Sequence, residues 1–247
     1  MDGINSKSSF ERFSIVKTIL LVLCAGMSIT IPYILISLTG VFESYPNIVI
    51  LSIAALIGTL GFQIGYILFD TKKQYGNFDI SKTLGLRNKL GWKKLVVWVP
   101  ALLVSCVALF MGTSFIGIWL QEKFFYWLPN WYPLQADYSN YSTRVQVTTY
   151  IVIFVCIAIL VPIIEEIFFR GFLMPRMAWM GKWMVLVNVV LFASYHFWSP
   201  WQMVTRIIAM YPVYYFAHKK QSLTLAILVH CIANLLGDVV GPVLASL

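Results

Sequence analysis

Apolar residues run along this chain in long unbroken blocks: charge-free stretches cover 18–42, 44–69, 95–121, 145–164, 183–205 and 221–237. A helix needs roughly 20 apolar residues, about 17 to 25, to cross the hydrocarbon core of a bilayer, and six blocks meet that length. The stretch from Trp183 to His218 is too long for one helix and is broken at Ser199-Pro200-Trp201, since the residue before a proline is pushed out of helical conformation. It predicts a hairpin of two short helices and brings the expected number of spans to about seven. Period-2 alternation over segments of about ten residues, the mark of a membrane barrel, is missing. The expected fold class is an all-α polytopic membrane protein. Neither a repeat nor a linker divides it, so residues 1–247 read as a single integral membrane domain.

Composition agrees with the pattern. The chain is 60% apolar and 11% charged, against about 45–50% and about 25% in a soluble domain, so lipid has to be the solvent for much of its surface. A net charge of +8 could suggest nucleic acid, but the basic residues fall between apolar blocks and form no patch with interleaved aromatics, so no nucleic-acid partner is expected. They follow topology instead. Cytoplasmic loops carry the Lys and Arg excess, and most of the 18 basic residues fall on one side. Lys7, Arg12 and Lys17 precede the first span; Lys72, Lys73, Lys82, Arg87, Lys89, Lys93 and Lys94 follow the second; Arg170, Arg176 and Lys182 follow the fourth; Lys219 and Lys220 follow the sixth. The N-terminus is expected in the cytoplasm, the C-terminus outside, and the protein in a cell membrane, crossed many times, of the bacterial cytoplasmic kind. The segment 121–147, with Phe124, Phe125, Tyr126, Trp127, Trp131 and Tyr132, reads as an interfacial aromatic belt. Cys24, Cys106, Cys156 and Cys231 lie within apolar blocks without CxxC spacing and read as reduced packing residues.

Ionisable groups in the hydrocarbon region cost roughly 2.5–3.5 kcal/mol each, so each is a functional candidate by default. The first three spans are read as holding no buried acid, base or histidine, whereas 160–238 holds Glu165, Glu166, Arg170, His196, Arg206, His230 and Asn234. Neighbouring helix residues point about 100° apart, so Glu165 and Glu166 are expected to serve different tasks. Glu166 and Arg170, four apart, can pair along one face. Glu165 is left without a partner in its own helix and free to act as a general base. Pro162 removes a hydrogen bond to the Ala158 carbonyl, so a kink and a free acceptor are expected one turn before the glutamates. His230 and Asn234 share a helical face, where they can either join helices or polarise a carbonyl as an oxyanion hole. Arg206 is read as snorkelling outward in a structural role. Asp238 has no evident partner in sequence.

The chain has no HExxH and no GxSxG, and Leu235-Leu236-Gly237-Asp238 lacks the first glycine of a GxGD motif, which removes the zincin, serine and aspartyl readings. What it does have, in order on late spans, is EExxxR at Glu165, Glu166 and Arg170, FxxxH at Phe192 and His196, and HxxxN at His230 and Asn234. These motifs resemble the CAAX protease and bacteriocin-processing (CPBP) family of intramembrane endopeptidases, over roughly 145–240 of the chain, the protease-like core; the spans within 13–120 match nothing comparable. The resemblance implies that Glu165 and His196 activate a water, that His230 and Asn234 stabilise the tetrahedral oxyanion, and that Glu166, Arg170 and Phe192 support the site. It leaves open a zinc ion on Glu165, His196 and His230; the form without a cofactor is favoured, because Glu165 is then free to act as base.

The expected function is therefore a glutamate-dependent intramembrane endopeptidase with its catalytic core in the last four spans. It would process a membrane-associated peptide or protein, a bacteriocin precursor among the candidates, through a cavity open to the cytoplasm. The alternative is a non-catalytic membrane regulator or self-immunity protein that binds a sensor kinase, peptide or transporter. Straight spans would place Glu165 and His196 at depths differing by about 10 Å. The mechanism requires that the hairpin stop short of the far surface or that Phe172 to Gly181 be partly inserted.

Overall fold

The computed structural model describes residues 10–129, 131–132 and 138–245; Lys7, counted above among the basic residues, lies outside them. Seven helices follow one another: α1 Ile15–Leu38, α2 Asn47–Tyr75, α3 Trp92–Phe124, α4 Thr143–Arg176, α5 Ala178–Ser194, α6 Met203–Lys220 and α7 Leu223–Val243. The described residues contain no strand, only an isolated antiparallel bridge between Arg87 and Ser222. Five helices, α1 to α4 and α7, are long and apolar enough to cross a membrane; α5 is shorter. With α6 it forms the expected hairpin, turning through Tyr195 to Gln202.

Local chemistry explains the helix ends. The Ser14 hydroxyl accepts from the Lys17 amide at the start of α1, and Ser222 accepts from Leu225 at the start of α7, satisfying amides that a helix N-terminus leaves unpaired. At the end of α2, Gly76 takes the left-handed conformation (φ 72°) that glycine adopts without strain. Helix α3 packs along α6, α1 along α2, and α5 along α6. Close approach needs glycine at Gly26, where a β-carbon would lie 2.6 Å from the Tyr195 carbonyl oxygen. Helix α1 thus buttresses the hairpin turn that carries His196, and from the aromatic segment Tyr132 donates its hydroxyl to the Phe197 carbonyl (2.9 Å). Tyr132 is buried there, while Phe124, Tyr126 and Trp127 are exposed as a belt requires.

The basic loops converge at one end of the bundle. Asn88 donates its amide to Gln221 and its side chain to Lys220, Leu223 donates to Leu86, Phe13 donates to the Arg176 carbonyl, and Trp179 donates to Phe13. Two expectations fail at this end. The first half does hold a buried acid: α2 continues past its charge-free block, so Asp70 lies inside, 3.0 Å from Arg176. Arg176, read as a loop residue, is fully buried, because α4 extends inward to it and its guanidinium stacks 3.7 Å from the Phe172 ring centroid. All four cysteines are free, and Cys106 packs its sulfur 3.6 Å from Met210.

Candidate active site

Helix α4 changes register where the sequence places Pro162. From Ile153 to Leu160 it is wound as a π-helix, ending with the Val161 amide donating five residues back to Cys156. The next donor in that register would be residue 162 to Ile157, and proline has no N–H. Asn234 of α7 takes the vacant acceptor, its Nδ2 donating to Ile157 O at 3.0 Å, and the Cys231 thiol lies 3.8 Å from Ile159 O. The expected free acceptor is there, shifted by the π register from Ala158 to its neighbours. Such π segments recur at functional sites, and Glu165 and Glu166 close the short α-helical stretch Val161–Glu166 between this one and a second, Ile167–Leu173.

Glu165 and Glu166 are both buried and diverge as adjacent helical residues must, yet they meet opposite nitrogens of one ring. His230 Nδ1 lies 2.8 Å from Glu166 Oε1, and its Nε2 lies 3.7 Å from Glu165 Oε2, beyond hydrogen-bond reach. The two carboxylates thus share a partner, which the sequence reading did not foresee. Glu166 has two further partners. Tyr214 donates its hydroxyl to Oε1 (3.1 Å), and Arg170 pairs with Oε2 at 3.4 Å as the spacing predicted. The Arg170 guanidinium rests 3.1 Å from the Tyr214 ring centroid and 4.1 Å from that of Phe192, a cation–π arrangement that fixes the pair.

Phe192 is the hub between the two histidines, with edge-on contacts to His196 (4.9 Å) and His230 (5.6 Å). His196 donates from Nδ1 to the Phe192 carbonyl at 2.8 Å, because a carbonyl can only accept. In the neutral ring this leaves the Nε2 lone pair free. Tyr195 and Trp198 pack around the same imidazole.

One cavity of about 630 Å³ collects these groups: Glu165, Phe192, His196, His230 and Asn234 all line it. Glu165 and His196 line this cavity together although straight spans would separate them in depth, and the hairpin-turn residues Tyr195, His196, Trp198 and Trp201 are buried. Glu166 and Arg170 stand behind the wall. Two features differ from expectation. Arg206 does not snorkel away; it lines the cavity and donates from Nη2 to Ser199 Oγ (2.9 Å) and Gln202 Oε1 (2.8 Å), which hold it inward. The cavity also lies away from the basic end: Gln121, Tyr138, Ser199, Gln202 and Asp238 contribute to it and none of the basic loops does. The hairpin turn and the aromatic segment, and not the basic loops, supply this part of the lining. Sequence reasoning missed the N-terminal contribution as well: Ile48 and Leu51 of α2 and Phe110 and Met111 of α3 wall the cavity. Apolar residues at helical spacing carry no signal of that kind. Among the described residues, no group of three or more His, Cys, Asp or Glu side chains is arranged to hold a metal ion.

Residues 147–236 match the family described as Type II CAAX prenyl endopeptidase Rce1-like. The match falls on the part of the chain that carries EExxxR, FxxxH and HxxxN, and so on the resemblance those motifs gave. No curated protein and no solved structure matched the chain.

Proposed function

We propose that this chain is an intramembrane endopeptidase that hydrolyses a peptide bond of a membrane-associated peptide or protein, using a water activated by Glu165 and His196. The observation that carries the reading is the convergence of Glu165, His196, His230 and Asn234, from three separate stretches, on one cavity. Glu165 has no hydrogen-bonded partner to give up before it accepts a proton from water, and His196 offers a free Nε2 to hold or receive that proton. His230 and Asn234 face the developing oxyanion. His230 is held through Nδ1 against Glu166 and turns Nε2 to the side of Glu165 and the cavity. Asn234 spends one amide hydrogen on Ile157 and retains the second. Donors held by such bonds pay no reorganisation when charge develops, the condition for oxyanion stabilisation. No step of this mechanism passes through a metal or another cofactor. Glu166 and Arg170, behind the wall, position His230, and Phe192, on the wall, packs between His230 and His196.

The test is terminal-peptide mass spectrometry on cells lacking the protein, complemented with wild type or with Glu165→Gln at matched membrane abundance. Cleaved peptides restored by wild type alone are expected, and they identify the substrate. Equal restoration of peptides and phenotype by both versions would return the protein to the non-catalytic alternative, a membrane regulator or self-immunity protein.

Access follows from the same reading. With the basic loops cytoplasmic, substrate reaches the cavity from the other side of the membrane. In a cysteine-free background, Gln202→Cys is expected to react with a membrane-impermeant maleimide added to intact cells, and Asn88→Cys only after lysis. The reverse pattern would invert the topology.

A further inference from the structure

Three arginines project into the bundle, and they differ in what balances their charge. Arg176 has Asp70 at 3.0 Å and Arg170 has Glu166 at 3.4 Å. Arg206, in the first turn of α6, has no such partner: among the described residues no carboxylate lies within ion-pair distance of it. Its Nη2 donates to two neutral oxygens, those of Ser199 and Gln202, and its Nη1 is buried with no hydrogen-bond partner. A guanidinium with no carboxylate at ion-pair distance in a low-dielectric cavity is costly, and a buried N–H without an acceptor adds to the cost. Ser199 and Gln202 fix the orientation of the fork without neutralising it. Glu165 and Asp238 line the same cavity and act on the Arg206 charge from beyond ion-pair distance, so no carboxylate is seated on the fork. The arrangement is complete only when an anion arrives with the ligand, and a planar guanidinium held at one edge suits a carboxylate better than a spherical ion.

We propose that Arg206 is a specificity-determining residue that binds a carboxylate of the peptide occupying the cavity, supplied either by an acidic side chain or by a free C-terminus. The inference rests on the endopeptidase reading for its ligand being a peptide; the selection itself is a binding property and can be measured without turnover. In the cavity Arg206 shares a wall with His196 and Glu165, so the bound carboxylate fixes which peptide bond lies beside the candidate base.

The probes are three fluorescein-labelled pools of apolar decapeptides: one with an internal Glu and an amidated C-terminus, one without acid and with a free C-terminus, and one with neither. Binding is followed by anisotropy to the Glu165→Gln protein in phosphatidylcholine nanodiscs. At least one acidic pool is expected to bind tenfold or more tightly than the uncharged pool, and whichever pool it is identifies the source of the carboxylate. Adding Arg206→Gln is expected to abolish that preference while leaving the uncharged pool's affinity unchanged, and Arg206→Lys to keep part of it, since lysine retains the charge without the fork. Equal affinities for the three pools, no binding by any, or a preference that survives Arg206→Gln would overturn the proposal. If Arg206→Gln does not fold, as judged by size exclusion and melting, the comparison of pools on intact Arg206 and on Arg206→Lys still decides. Wild type that cleaves all pools with no preference would sink the role of Arg206 and leave the endopeptidase standing. A carboxylate preference without any cleavage would do the opposite.

Discussion

The bundle buries two acid–base pairs along α4, Asp70 with Arg176 and Glu166 with Arg170, and only one of them borders a site built for chemistry. At the basic end Arg176 donates to Asp70, Thr83 O and Phe172 O, while Asp70 also accepts from Gln74, so charge and hydrogen bonds are spent within the protein. Neither Asp70 nor Arg176 lines the cavity that holds Glu165. In the other pair Glu166 is bound to Arg170, Tyr214 and His230, yet Glu165 beside it keeps a carboxylate without a hydrogen bond on a cavity wall. Burial of charge in a membrane bundle is therefore a weak sign of function by itself. Spare bonding capacity turned toward a cavity is the stronger one, and it separates Glu165 from Glu166 and Arg206 from Arg176.

The comparison breaks most visibly at Glu165. Replacing it with Gln keeps the volume and is expected to lower cleavage by about 10²–10⁴-fold, the usual contribution of a general base, with the melting temperature essentially unchanged because no bonded partner is lost. A fall in stability as large as the fall in activity would place Glu165 in the same class as Asp70.

Asp70→Asn is expected to act in reverse. Removing one charge of a buried pair leaves Arg176 uncompensated, at a cost of about 3–5 kcal/mol. Membrane abundance and denaturation midpoint should fall, while the activity per folded molecule is retained. Loss of activity in a fully folded Asp70→Asn protein would show that the closed pair communicates with the cavity.

Much of this was legible in the sequence. Charge-free blocks marked the helices, Pro200 marked the hairpin turn, and the spacing of Glu166 and Arg170 marked their pair, because each depends on geometry within one helix. What was hidden depends on which residues of different helices meet. The overrun of α2 to Asp70 and of α4 to Arg176 could not be read from where apolar blocks stop, since a helix continues past its last apolar residue when a partner awaits the charge. Arg206 was misread for a related reason: its position about one turn inside an apolar block fits snorkelling, and only the folded hairpin puts Ser199 and Gln202 where they hold it inward. The meeting of Glu165 and Glu166 at His230 needed two helices to be seen together.

Asn234 carries the smallest expected effect and the finest distinction, since it both joins α7 to α4 and faces the cavity. Asn234→Leu removes the bond to Ile157, and an interhelical hydrogen bond in a membrane contributes about 0.6 kcal/mol on average. That loss exists because Pro162 leaves the carbonyl without a backbone donor. In a Pro162→Ala background the restored amide can serve the vacated acceptor, so the same substitution should cost measurably less stability there. Activity should not follow. If the free amide hydrogen of Asn234 stabilises an oxyanion, Asn234→Leu lowers kcat by about 10²–10³-fold in both backgrounds, whatever happens to the melting curve. Activity that recovers along with stability in the double variant would make Asn234 a joint between helices and leave His230 as the oxyanion donor.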